Sequence, residues 1–161
     1  MGKVIKVGMA DLNVAKSGDS LTTLGLGSCV GITLYDPISK VAGMAHIMLP
    51  SSKSIKNNSN PAKFADTAMD ILIDKMIRAG ARKTRLVSKI AGGAQMFSFS
   101  TKNDLMKIGQ RNIIATKDIL KEKGIRLIGD DTGGNFGRTI EISSDTGILF
   151  IKTIGKGTKE I

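Results

Sequence analysis

The sequence predicts a layered α/β sandwich. Short runs of branched and apolar residues, typical of β-strands, recur along the chain and are interrupted by two stretches with helical periodicity. The runs at 29–35 and 41–49 are apolar on both faces instead of alternating with polar residues, which indicates a sheet covered on each side. No low-complexity segment divides the 161 residues, so we expect one domain, residues 1–161, whose core needs no disulfide or metal.

Eight strands are expected, and two pairs of them form hairpins. Asp36-Pro37-Ile38-Ser39 supplies the turn of the first hairpin, and Ser144 to Gly147 supplies the turn of the second. The predicted strands are 4–9, 21–26, 29–35, 41–49, 85–91, 125–129, 139–143 and 148–153.

Two helices are expected between these strands. Asn60-Pro61 provides a cap and a first-turn residue for the first helix, and Gly80 ends it. Its apolar stripe consists of Phe64, Ala68, Leu72 and Met76. The second helix runs from about Gln110 to Lys123 and ends at Gly124. The residues that it is expected to bury are Ile113, Ile114 and Leu120.

The only cysteine, Cys29, and the only histidine, His46, lie on the two strands of the first hairpin. If Pro37-Ile38 is a two-residue loop, residues whose numbers sum to 75 face each other, and Cys29 lies opposite His46. Directly opposed residues have Cβ atoms about 4.5–5.5 Å apart, whereas a one-residue slip would place the two on opposite faces. The hairpin therefore predicts a thiol beside an imidazole. The simpler interpretation is a small buried cysteine and a hydrogen-bonded core histidine.

A thiol next to an imidazole is the arrangement that a cysteine nucleophile requires. An ordinary thiol, with a pKa of about 8.5, is only slightly ionised at neutral pH and needs a base. His46 is the candidate base, and Thr23, on the preceding strand, can orient its ring through the hydroxyl group. Sequence alone leaves Thr22, Ser28 and Thr33 as rivals for that role.

The approach to Cys29 is rich in glycine. Glycines at 25, 27 and 31 let a substrate carbonyl approach the backbone N–H groups of Cys29 and a neighbour, so Gly27 and Ser28 are candidate oxyanion-binding residues. An equally simple interpretation is that these glycines relieve crowding at a strand bend.

Other familiar sites do not fit the sequence. Gly25-Leu-Gly27 lacks the third glycine of a dinucleotide-binding turn, because Val30 occupies that position. The glycine-rich segments at 131–138 and 155–158 lack the P-loop pattern and are interpreted as loops. One cysteine and one histidine cannot make a zinc site, and Asp130-Asp131 more simply ends a strand than binds a cation. We expect neither a cofactor nor a metal.

The chain carries a formal net charge of +10, which favours an acidic partner. With five Phe, one Tyr, no Trp and scattered basic residues, a protein partner is expected rather than a nucleic acid. No signal peptide or membrane span is recognisable, so a soluble cytoplasmic protein is expected. The polar segment from Ser51 to Asn60 is interpreted as a connecting loop, although its position after the His46 strand could place it beside a site.

Four segments carry a family resemblance. They are Thr23-Leu-Gly-Leu-Gly-Ser-Cys29, Met44-Ala-His46-Ile-Met-Leu-Pro50, Ala91-Gly-Gly-Ala-Gln-Met-Phe97 and Gly133-Gly-Asn-Phe-Gly-Arg138. In this order they resemble the motifs of CheD, the chemoreceptor glutamine deamidases of bacterial and archaeal chemotaxis, over nearly the whole chain.

The resemblance implies a catalytic site made of Cys29, His46 and Thr23. It also implies an α/β/β/α sandwich similar to the catalytic domain of cytotoxic necrotizing factor toxins. The implied activity is deamidation of glutamines on the cytoplasmic helical bundle of chemoreceptors, in some members with hydrolysis of glutamyl methyl esters. The implied partner is the phosphatase CheC, whose activity many members raise. The alternative is a non-catalytic regulatory binding protein of chemotaxis.

Overall fold

The computed structural model describes residues 2–96 and 107–161 and confirms a mixed α/β fold. Two five-stranded sheets have the strand orders β1-β3-β8-β9-β10 and β2-β5-β4-β6-β7. The strands are β1 Val4–Lys6, β2 Leu12–Ala15, β3 Ser20–Leu26, β4 Val30–Asp36, β5 Val41–Ile47, β6 Val87–Gly92, β7 Arg126–Thr132, β8 Arg138–Ser143, β9 Leu149–Thr153 and β10 Gly157–Glu160. The helices are α1 Ala65–Arg78 and α2 Ile108–Glu122.

The described residues form three layers: helices, sheet and sheet. Both helices pack on the sheet that contains β4 and β5, and a second core fills the space between the two sheets. Every residue of β4 and β5 is buried, which confirms that this sheet is covered on each side. In β8, on the other sheet, buried and half-buried residues alternate, and neither α1 nor α2 covers its outer face. The expected helical layer on that face is therefore not found in the described residues, and the likeness to the toxin domain stays a prediction.

The first hairpin forms, but its predicted register is wrong by two residues. Asp36 pairs with Val41, so the loop has four residues instead of two. The cause is the side chain of Asp36, whose Oδ1 accepts hydrogen bonds from the backbone N–H groups of Ile38 at 2.9 Å and Ser39 at 3.3 Å. The N–H group of Lys40 then closes the turn on the Asp36 carbonyl at 2.8 Å. His46 consequently lies opposite Gly31 rather than Cys29.

Helix α1 confirms its predicted stripe. The four predicted apolar residues are all fully buried, and Gly80, at φ 113°, follows the end of the helix. The Asn60 cap holds a 3-10 turn over Pro61–Lys63, so the α-helix itself begins at Ala65, later than expected.

Helix α2 buries a different face from the predicted one. Ile114 is exposed and Ile113 is only partly buried, which contradicts the expectation for both residues, whereas Leu120 is buried as expected. The buried residues of α2 are Gly109, Asn112, Thr116, Ile119 and Leu120. Two polar residues thus occupy the face that packs on the sheet.

Several local expectations are also corrected. Strands β2 and β10 were not predicted, and β10 begins inside the 155–158 segment that we interpreted as a loop. Strand β6 begins at Val87, after a 3-10 turn over Lys83–Arg85. In the 51–60 segment, Ser51 caps a 3-10 turn, and Ser52 Oγ donates to Asp66 at 3.0 Å, which ties the segment to the start of α1.

Candidate active site

Strand β5 presents His46 to the space between the two sheets. Even-numbered residues of this strand, such as Met44, belong to the inter-sheet core, whereas odd-numbered ones, such as Ala45, belong to the helix-side core. This alternation follows from the period of two along a strand. His46 is 1% exposed, so its ring is enclosed by protein.

Thr23 on β3 reaches His46 from the opposite sheet. Its Oγ1 lies 2.7 Å from His46 Nδ1 and donates to the backbone oxygen of Val7, also at 2.7 Å. A hydroxyl group can donate only one hydrogen bond, and Thr23 donates its bond to the Val7 backbone oxygen. Oγ1 must therefore accept the hydrogen bond from Nδ1–H of His46. This assignment places the proton of the neutral imidazole on Nδ1 and leaves the lone pair on Nε2.

The Nε2 atom of His46 is the free end of the ring. It is buried and has no hydrogen-bond partner among residues 2–96 and 107–161. Burial also lowers the pKa of His46, because the charged imidazolium is poorly solvated inside the protein. The resting ring is therefore a neutral base with an unused lone pair.

Cys29 immediately precedes β4 and faces the same inter-sheet space. An added Cβ at Gly31 would lie 2.5 Å from Ile140, so the odd-numbered positions here face the other sheet. Cys29 precedes by two residues the glycine that pairs with His46, and such diagonal neighbours lie about 7–8 Å apart. The two-residue register shift is even, and it therefore keeps the cysteine and the histidine on one face. Cys29 is 7% exposed, and burial raises the pKa of its thiol.

Two of the three rival residues, Thr22 and Thr33, bond to other groups. Thr22 Oγ1 donates to the Ile140 backbone oxygen at 2.8 Å, and Thr33 Oγ1 donates to the Lys89 backbone oxygen at 2.6 Å. The structure thus brings Thr23, and neither Thr22 nor Thr33, to the imidazole.

The backbone around Gly27 and Ser28 is fixed by its carbonyl groups. Gly27 O accepts from the N–H of Ala94 at 2.8 Å, and Ser28 O accepts from the side chain of Asn112 at 2.9 Å. A trans peptide directs its N–H opposite to its C=O, and none of the described peptide bonds is cis. The N–H groups of Ser28 and Cys29 therefore point away from these two anchors, as oxyanion donors would have to do.

The end of β6 and the residue after it, Gly92 and Gly93, support the backbone at Cys29. The N–H of Gly93 donates to Cys29 O at 2.8 Å. At Gly92, φ is 107° and an added Cβ would lie 2.3 Å from Cys29 O, so the close approach requires glycine. The last residue of the 91–97 motif, Phe97, lies outside the described residues.

A surface depression of about 270 Å³ opens beside Thr23. Lys6 and Val7 form part of its wall, and the exposed side chains of Met9 and Leu24 stand at its rim. The depression borders the Thr23 side of the site, and Thr23 itself is 1% exposed.

The described residues contain no group of three or more His, Cys, Asp or Glu side chains that could hold a metal. Asp130 pairs with Lys117 at 2.9 Å, while Asp131 pairs with Arg138 at 3.0 Å and Lys159 at 2.5 Å. These carboxylates are engaged in ion pairs. Neither α1 nor α2 has the length and apolar character that a membrane-spanning helix needs, in the part of the chain that is described.

Sequence reasoning missed Val7 and Asn112. Val7 acts through its backbone oxygen, which leaves no signal in a sequence. Asn112 does leave a signal in the sequence. It lies one helical turn before Thr116, so two polar residues share one face of a helix that packs against a sheet.

The family described as CheD chemotactic sensory transduction matches residues 48–153. The chain belongs to the CheD family. It is 60% identical, over 99% of its own length and 98% of the relative's, to the probable chemoreceptor glutamine deamidase CheD of Caldanaerobacter subterraneus subsp. tengcongensis. Proteins of the same name from Lachnoclostridium phytofermentans and Syntrophomonas wolfei are 57% and 54% identical, each over 100% of both chains.

The full-length relatives cover more of the site than the CheD family match does. The matched region begins after His46 and contains the Gly92 turn and Asn112. The similarity to the relatives also spans the segment with Thr23, Cys29 and His46.

Proposed function

We propose that this chain is a chemoreceptor glutamine deamidase, acting in the cytoplasm as one domain over residues 1–161. Cys29 is its nucleophile, His46 its general base and acid, and Thr23 the residue that orients His46. The Thr23–His46 hydrogen bond carries this proposal, because it leaves a lone pair on Nε2 at the face that also bears Cys29. The names of the full-length relatives support the substrate class.

In the first half of the reaction the thiol becomes acylated. His46 Nε2 takes the thiol proton while the sulfur of Cys29 attacks the side-chain carbonyl carbon of a receptor glutamine. The carbon–nitrogen bond then breaks, the imidazolium protonates the departing nitrogen, and ammonia leaves. A thioester between Cys29 and the receptor side chain remains.

In the second half water hydrolyses the thioester. His46 accepts a proton from the attacking water, the carbon–sulfur bond breaks, and the proton returns to the thiolate. Glutamate and the starting enzyme result. In each half the N–H groups of Cys29 and Ser28 bind the oxyanion, with the chain at Gly27 and Ser28 held in place by Ala94 and Asn112.

Burial shapes the resting state of this pair. It raises the pKa of Cys29 and lowers that of His46, so a neutral thiol and a neutral imidazole are favoured before substrate arrives. Proton transfer then accompanies attack on the substrate, and a permanently reactive thiolate is avoided.

Two further properties belong to the proposal. A glutamyl methyl ester gives the same thioester with methanol as the leaving group, so ester hydrolysis is expected from the same residues. Binding to CheC and stimulation of its phosphatase activity follow from the family resemblance. A binding assay with the two purified proteins tests the first, and a phosphatase assay of CheC with and without this protein tests the second.

The decisive experiment compares the wild-type protein with Cys29→Ala on a chemoreceptor cytoplasmic fragment. Mass spectrometry of its peptides should show conversion of glutamine to glutamate with the wild type alone. Equal conversion by both proteins would remove Cys29 from the mechanism. No conversion by either, together with retained binding to the fragment, would favour the non-catalytic binding protein.

A further inference from the structure

We propose that Asn112 is a positioning residue that sets the spacing between the Cys29 and His46 strands. The proposal rests on the proposed function, because it concerns the alignment of the same two side chains. Asn112 lies on α2, on the side of the sheet opposite to the thiol and imidazole.

Asn112 bridges the two strands where their own pairing ends. Its Nδ2 donates to Ser28 O and to Met48 O, each at 2.9 Å. The pairing of β4 with β5 begins at Val30 with Ile47, so the next two opposed residues would be Cys29 and Met48. One side-chain amide thus replaces the missing rung of the ladder at the level of the nucleophile.

The bridge uses the full donor capacity of the amide. An Asn Nδ2 has two hydrogens, and each is directed to a carbonyl on a different strand. Ser28 directly precedes Cys29, and Met48 is the second residue after His46. A change at Asn112 therefore alters the separation of sulfur and imidazole without touching either group.

The buried Asn112 amide also has a cost in stability, which comes from its oxygen atom. Asn112 is fully buried, and its Oδ1 has no hydrogen-bond partner in the described ranges 2–96 and 107–161. A buried, unsatisfied acceptor costs about 1–3 kcal/mol. An apolar residue at this helix position would avoid that cost but would leave the carbonyl groups of Ser28 and Met48 without this donor, so the amide is explained by the two strand ends that it holds together.

The test compares Asn112→Leu with a matched control, Thr116→Val. Both changes remove a fully buried polar group from the same face of α2, but Thr116 Oγ1 bridges nothing in the described residues. We expect Asn112→Leu to lower kcat by roughly 10- to 100-fold with KM within about twofold, since small misplacements of reacting groups have effects of this size. Thr116→Val should keep the wild-type kcat.

A double variant separates alignment from general damage. In a His46→Ala background the thiol–imidazole alignment is already lost, so adding Asn112→Leu should lower kcat by several-fold less than it does in the wild type, and the remaining effect reports the Ser28 carbonyl that Asn112 also holds. A full additional loss in that background would overturn the proposal, as would a wild-type kcat in folded Asn112→Leu.

Folding is checked by circular dichroism and thermal unfolding. If Asn112→Leu does not fold, Asn112→Ser replaces it, because a smaller side chain cannot overpack the site and is too short to span both carbonyls. Failure of both variants to fold would assign Asn112 to the fold and overturn its role in alignment. Retained deamidation by Cys29→Ala would instead refute the proposed function itself, so the two failures are distinguishable.

Discussion

Replacing Thr23 by valine tests the hydrogen bond on which the proposed mechanism depends. Valine keeps the branched shape of threonine and removes only the hydroxyl group. In the wild type that group accepts from His46 Nδ1–H and donates to Val7 O, both at 2.7 Å. In Thr23→Val the imidazole can rotate or move its proton to Nε2, where the proton would block the base.

The expected effect on activity follows from the part of catalysis that is lost. A well-placed general acid–base contributes about 10²- to 10⁴-fold, and Thr23→Val keeps the ring while losing its orientation. We therefore expect kcat to fall roughly 10- to 100-fold, less than in Cys29→Ala. Thr23→Ser, which restores the hydroxyl, should recover most of the wild-type rate.

Thr22→Val is the matched control, because Thr22 is the adjacent residue, is also buried, and donates to the Ile140 backbone oxygen at 2.8 Å. Each buried group left without a partner costs about 1–3 kcal/mol, so both variants should be less stable in urea unfolding. Ammonia release from a chemoreceptor fragment then measures kcat. A Thr23→Val rate within about threefold of the Thr22→Val rate would refute the orienting role of Thr23.

Two other predictions concern the backbone and the pH dependence of stability. Gly92→Ala should abolish most activity, because the added Cβ would lie 2.3 Å from Cys29 O. Gly80→Ala is the control: Gly80 is also at positive φ but has no atom within 4 Å of an added Cβ, so this variant should lose stability and keep its kcat. Equal kcat values for the two variants would contradict this prediction. Burial lowers the pKa of His46 in the folded protein. Below about pH 6.5 the imidazole is therefore protonated in the unfolded chain but still neutral in the folded protein. The free energy of unfolding should consequently decrease as the pH falls below about 6.5. Urea titrations across that range should show a weaker pH dependence in His46→Asn, and an unchanged dependence would mean that another group is responsible.

The parts of the fold that could be predicted are those in which apolar pattern and burial agree. Strands β4 and β5 are mostly apolar and buried at every residue because both faces are covered, and the stripe of α1 is buried in full. Strand β10 is exposed at all four residues and is held by its pairing with β9 and by the Lys159–Asp131 ion pair, so its side chains carry no signal of burial. Strand β2 is four residues long and owes its conformation to its pairing with β5.

Helix α2 was mispredicted for a related reason. A search for an apolar stripe selects Ile113 and Ile114, whereas the face that packs on the sheet carries Asn112 and Thr116. The stripe rule assumes that a buried face is apolar. Here an amide on that face satisfies two backbone carbonyls, so the rule fails at the position where the helix meets the candidate site.

The shared face of Cys29 and His46 could be predicted from the sequence, although the register that first suggested it is wrong by two residues. The turn was expected to have two residues, and the buried Asp36 carboxylate, by binding two N–H groups of the loop, makes it four. A change of two residues moves Cys29 along its strand but leaves it on the face of His46, whereas a change of one would have placed them on opposite faces. The parity of the loop, rather than its length, decides whether the thiol and imidazole can meet.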